Sequence, residues 1–121
     1  MSNELNALNF VQLIPRAERI ARLNDALRKS GQGGVIMVTH GVRALPEFDV
    51  SALLLMLQTT DGFDEDNDPH GERDFGDIDW QGTSLLWKID YYDCDMLHAS
   101  SDPADSAATK RVLTVMLARD Y

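Results

Sequence analysis

Phe75–Tyr92 reads FGDIDWQGTSLLWKIDYY, and the period of this stretch decides the fold class. Ile78 and Trp80 alternate with Asp77 and Asp79 after Phe75 and Gly76, the two-residue period of a half-buried strand. Gln81-Gly82 is a two-residue turn candidate, a weaker signal than Asn-Gly. Thr83–Tyr92 then returns as a second strand. Leu85, Trp87, Ile89 and Tyr91 fall on one face, and Leu86, Lys88, Asp90 and Tyr92 on the other. The first set is the expected core face.

The segments upstream of this hairpin are mainly helical. In RAERIARLNDALRKS (16–30), Ala17, Ile20, Ala21, Leu23, Asn24 and Leu27 share a face at helical spacing. Glu18–Arg22 and Asp25–Lys29 are favourable i,i+4 pairs, Arg28 and Lys29 complement the dipole at its C-terminus, and Gly31 is a stop signal. The positive charges of this helix read as a solvated face. Val35–Thr39 is a short apolar run that reads as a buried strand. A helix is expected from Pro46 to about Gln58, with Val50, Leu53, Leu54 and Leu57 covering the sheet. Residues 1–15 suit a helix or a docking arm that Pro15 interrupts.

Downstream, 93–108 reads as a polar surface loop with a helical turn near Ser101. Residues 111–117 suit strand or helix, and β-branched Val112, Thr114 and Val115 favour strand. The expected architecture is one α+β domain over 1–121, with N-terminal helices packed on a small, mainly antiparallel β-sheet. That sheet would use 35–39, 75–80, 83–92 and 111–117.

A chain of 121 residues, 44% of them hydrophobic, can bury a core without covalent staples. Its single cysteine, Cys94, excludes an internal disulfide framework and fits a reducing, cytoplasmic setting. MSNELNALNF lacks the basic and long apolar regions of a secretory signal. The longest apolar run, Leu53–Leu57, is far short of the roughly 20 residues that span a bilayer. No membrane association is expected.

The net charge is −9, which argues against direct nucleic-acid binding. Acidity alone also serves solubility, but here it is concentrated. Asp61–Asp79, DGFDEDNDPHGERDFGDID, holds Asp61, Asp64, Glu65, Asp66, Asp68, Glu72, Asp74, Asp77 and Asp79 against Arg73 alone.

Several chemistries could use these residues. Asp64, Asp66 and Asp68 have the opening spacing of an EF-hand, but Pro69 and Phe75 stand where that loop needs Gly and Glu. A looser divalent-cation site would draw on Asp64, Asp66, Asp68, His70 and Glu72, and would suit a metal-dependent hydrolase or metal-binding protein. His70-x-Glu72 has the spacing of a zinc deaminase motif without its cysteine pair. Cys94 and His98, with His70, could supply three zinc ligands. Ser100 and Ser101 lie beside His98 without a nucleophile elbow. Cys94 is flanked by Asp93 and Asp95, a setting that does not favour a nucleophilic cysteine. Gly31-Gln32-Gly33-Gly34 precedes a strand and so is not a phosphate loop. Asp77, Asp79 and Asp90 are the best general acid–base cluster, if Asp90 stands across the hairpin. The leading expectation is a non-enzymatic interaction surface with no cofactor. Clustered carboxylates with exposed Phe63 and Trp80 nearby would meet a basic protein partner in the manner of a nucleic-acid mimic.

Asn67-Asp-Pro-His-Gly-Glu-Arg-Asp-Phe-Gly76, Trp87-Lys-Ile-Asp-Tyr-Tyr-Asp93, Ser101-Asp-Pro-Ala-Asp105, Arg111-Val-Leu-Thr114 and the ending Asp120-Tyr121 occur in this order. Together they resemble a small family of uncharacterised bacterial domains, over roughly 18–121. The resemblance implies an alphaproteobacterial source near plasmid or other mobile-element genes, and carries no assigned activity. It also implies His at position 73 in an acid–His pair, where this chain has Arg73. By analogy with that genetic setting, an inhibitor of a host defence nuclease is the expected kind of binding protein.

Overall fold

Helix α1 spans Arg16–Ser30 in a computed structural model that describes residues 13–121. The arm expected over 1–15 falls largely outside the described residues. Ile20, Ala21, Asn24 and Leu27 are buried along one face, as the helical spacing predicts, and Arg28 is buried with them. Glu18–Arg22 pairs at 3.3 Å. Asp25 turns from Lys29 to Arg28 and Arg73 instead, because those guanidiniums lie on the buried side of the helix.

Strand β1 is Gly34–Val38, followed by a single helical turn, α2, over His40–Arg43. Helix α3 covers Val50–Thr59. It starts four residues after the expected Pro46 because Glu47 takes a positive φ of 61°, which no helix accommodates. Asp49 then caps the helix by accepting from the Ser51 amide at 3.0 Å.

The hairpin forms as its alternation requires. Strand β2 is Phe75–Trp80, β3 is Thr83–Tyr92, and Gln81 and Gly82 both carry positive φ, the requirement of the tight turn that matches strand twist. Strand β4, Lys110–Leu117, confirms the strand preference of its β-branched residues. A 3-10 turn at Ser106–Ala108 lies slightly later than the helical turn expected near Ser101.

The sheet order is β1-β4-β3-β2. β2–β3 and β3–β4 are antiparallel, and β1 joins β4 in parallel. The sheet is therefore mixed, with antiparallel pairings in the majority. β1 is an edge strand and half exposed, not the buried strand its apolar run suggests. Its exposed residues Val35 and Met37 point to the face that none of the described helices covers.

The other face holds the core. Leu27 of α1, Val42 of α2 and Leu53 and Leu57 of α3 pack on Ile78, Trp80, Leu85, Trp87, Ile89, Leu113, Val115 and Leu117. Helices thus segregate to one side of the sheet. Trp87 is fully buried and lies flat against β2 because Gly76 has no side chain there. A Cβ at Gly76 would sit 2.5 Å from the indole Nε1. Gly76→Ala is expected to cost about 2 kcal/mol through overpacking, read as a lower urea midpoint with an unchanged m-value. Among the described residues, no helix is long and apolar enough to cross a membrane.

Candidate functional site

The acidic stretch divides into a structural part and a free part. Asp64 builds the loop, its Oδ1 accepting from the amides of Asp66 and Asn67 at 2.9 and 3.0 Å. Asn67 returns the contact through its own side chain to the Asp64 amide and the Gly62 carbonyl. The Asp68 carboxylate accepts from the Arg73 amide, which suits the positive φ of Arg73. Glu72 accepts from the Tyr91 hydroxyl at 2.8 Å. The alternate spacing of acids that hints at a cation loop is thus partly spent on the loop's own backbone.

Asp64, Asp66, Asp68, His70 and Glu72 do not converge. Among the described residues, no three His, Cys, Asp or Glu side chains are grouped so as to hold a metal ion. That applies also to His70, Cys94 and His98. The expected Asp77–Asp79–Asp90 cluster does not form either. Asp77 stands opposite Leu86 and Asp79 opposite Ser84, whereas Asp90 lies beyond the end of β2 and pairs with Lys88 at 2.8 Å.

Arg73 anchors the loop to α1. Its guanidinium reaches Asp25 at 2.9 Å and Glu18 at 3.2 Å. Burial raises the Asp25 carboxyl, but hydrogen bonds and charge from Arg73 and Arg28 outweigh it and leave the group below its ordinary value. Arg73 chiefly lowers Glu18 as well, against burial and with help from Arg22. Asp74 moves the other way. Burial holds it above the ordinary carboxylate range, and the charges of Glu72 and Asp68 add to that.

These directions fix the pH response. Carboxyls depressed in the fold stabilise it above their unfolded values, about 4 to 4.5, and lose that contribution as pH falls through their folded values. Asp74 opposes this, because its raised value favours the fold as it protonates. Arg73→Met is expected to remove about 1 kcal/mol at pH 7 and to flatten the loss of stability below pH 4.5. Urea midpoints measured across pH 3 to 7 check both.

Six acids of the stretch are exposed, the loop-building Asp64 among them: Asp61, Asp64, Glu65, Asp66, Asp77 and Asp79. None of the ion pairs among the described residues involves them. Asp61, Asp66 and Asp77 line a cleft of about 450 Å³ between the loop and β2, and Phe63, Phe75 and Leu86 contribute apolar surface to it. The aromatic contribution differs from expectation. Trp80 is buried against Phe48, since its even position on β2 faces the core. Phe63 is half-buried, edge-on to Trp87. Among the described residues the exposed aromatics are Phe75 and Tyr121, whose rings meet at 5.6 Å. Phe75 and Leu86 were not expected at the site, although the hairpin period puts both on its non-core face.

The sequence pattern of one protein family, described as protein of unknown function (DUF3768), matches residues 38–120, about two thirds of the chain. The match begins at Val38, later than the resemblance near residue 18, so Glu18 and Asp25 lie outside it. No curated protein matches the chain, and no solved structure does.

Proposed function

The chain belongs to the DUF3768 family of proteins of unknown function, and from that premise we propose a non-enzymatic binding role. The acidic surface of residues 61–79 meets a basic protein partner and competes for the site that partner offers to nucleic acid. The observation that carries this reading is the set of six exposed carboxylates outside every ion pair, three of them around a cleft with apolar walls. Such a surface attracts a cationic partner by summed potential and fixes its register by complementarity. The cleft has room for the methylene stem of a Lys or Arg, with its charged head at the carboxylates. An inhibitor of a nuclease, in the mobile-element setting that the sequence resemblance implies, would use such a surface.

A cation-dependent hydrolase using Asp64, Asp66, Asp68, His70 and Glu72 makes a different demand, namely convergence on one ion. Titration with a lysine oligomer separates the two. Under the binding reading, Asp61→Asn alone changes affinity by no more than about twofold, and Asp61→Asn/Asp66→Asn/Asp77→Asn lowers it at least about tenfold. Raising salt from 0.05 to 0.3 M weakens the wild type steeply. Salt-independent binding, or a thermal shift with one divalent cation that Asp68→Asn alone abolishes, would overturn this reading in favour of the metal one.

A further inference from the structure

The register places Val35, Met37, Leu86, Phe75, Val112 and Met116 on the sheet face opposite the core, where Val112 and Met116 are buried and the ring of Phe75 meets that of Tyr121. Val35 is 54% exposed and Met37 57%, high values for apolar residues in the strands of a sheet. Lys88 and Asp90 satisfy each other on this face. Along one side the face runs into the acidic cleft, because Phe75, Asp77 and Leu86 belong to both. Along the other, Val35, Val112, Met96 and Lys110 line a groove of about 460 Å³.

Dimensions and charge select the occupant. Four strands span three spacings, about 14 Å, which matches the 10–12 Å diameter of one helix. A second copy of this chain would bring another −9 charge against the same acids. Residues 1–12 carry Glu4 and no Lys or Arg, so the chain's own N-terminal segment offers no complementary charge. We propose that the part of this face that the described residues leave open, around Val35, Met37, Leu86 and Phe75, is the docking surface for a cationic amphipathic helix of a partner protein. The apolar side of that helix lies on Val35, Met37, Leu86 and Phe75, and its Lys and Arg meet Asp61, Asp66 and Asp77. This deepens the reading of the acidic surface above and rests on it.

Three probes of equal charge test the proposal by fluorescence titration. One is a Leu/Lys peptide of about 18 residues, helical and amphipathic, about as long as an eight-residue strand. The second has the same composition scrambled to break the apolar face, and the third is a lysine oligomer. The amphipathic helix should bind at least about tenfold more tightly than either control. Val35→Thr/Met37→Gln should weaken it about fivefold while leaving the lysine oligomer unchanged. Both positions are exposed, and an unchanged thermal midpoint confirms that the variant is folded. Equal binding of all three probes, each lost in the triple Asp→Asn variant, would overturn the helix-docking face and leave the acidic surface standing. Helix binding indifferent to Val35→Thr/Met37→Gln would also overturn it, placing the helix elsewhere, such as along the free edge of β1. No binding of any probe would overturn both readings.

Discussion

Arg28→Met is expected to lower stability by about 3 kcal/mol, a fall in the melting midpoint of roughly 10 °C for a domain of this size. The side chain is only 2% exposed. One guanidinium nitrogen donates to the carbonyls of Leu57 and Thr60 at 2.7 and 3.0 Å, and the other reaches Asp25 at 3.1 Å. Leu57 lies in the last turn of α3, where carbonyls have no partner within the helix. Arg28 therefore closes the end of one helix from the side of another. It also lies 5.5 and 5.7 Å from the ring centres of Phe63 and Trp87, favourable for a desolvated cation. The loss should stop near 3 kcal/mol, at the low end for breaking a buried pair, for two reasons. Asp25 keeps Arg73 as a partner, and the Arg28 Nε, buried without an acceptor, is removed with the rest. Arg28→Lys should fall between wild type and Arg28→Met, because one ammonium cannot reach all three acceptors. Equilibrium urea unfolding measures both. A loss below 1 kcal/mol for Arg28→Met would show that this contact does not join α1 to α3.

Asn24→Leu is expected to cost a similar amount, about 3 kcal/mol, by orphaning several groups at once. Asn24 is fully buried. Its amide donates to the Tyr91 hydroxyl at 2.8 Å and the Glu72 carbonyl at 2.9 Å, and its oxygen accepts from Arg111 Nε at 2.9 Å. Arg111 also donates to the Pro103 carbonyl and lies 5.2 Å from the Tyr91 ring centre. Burial lowers Arg111 below the ordinary guanidinium range, while Tyr91 and Glu72 act to raise it. Burial raises the Tyr91 hydroxyl, so it stays protonated and serves as a donor. Asn24 thus joins helix, acidic loop and two strands. Adding Arg111→Met to Asn24→Leu should cost less than the sum of the two single changes, since the double variant leaves no unpaired guanidinium. Strict additivity would contradict a coupled network.

The hairpin was legible because its alternation, turn and length agree, and α1 because its apolar positions repeat at helical spacing. β4 was legible from its β-branched residues. The parallel pairing of β1 with β4 was not, because GVIMV carries no mark of its neighbour and an apolar run suits a buried strand as well as an edge. Arg28 read as a dipole partner for the same reason. Its place on the helix is compatible with solvent, and only Leu57, Thr60 and Phe63, remote in sequence, make it interior. The acidic stretch was legible as a concentration of charge. Its division into loop-building Asp64, Asp68 and Glu72 and a free rim was hidden, since that depends on Tyr91 and on the turn at Arg73. Trp80 could have been placed correctly from the hairpin period alone, because it shares parity with core residue Ile78.

The surface reading gives the acids of 61–79 one role together, so the most direct measurement is where a partner touches them. The protein, treated with a zero-length carboxyl-to-amine crosslinker in an extract of its own cells, would be digested and its crosslinked peptides sequenced. Crosslinks from lysines of one partner to Asp61, Asp66, Asp77 or Asp79, lost in 0.5 M salt and on competition with duplex DNA, are the predicted result. Crosslinks confined to residues outside 61–79, or unaffected by salt and DNA, would contradict the account.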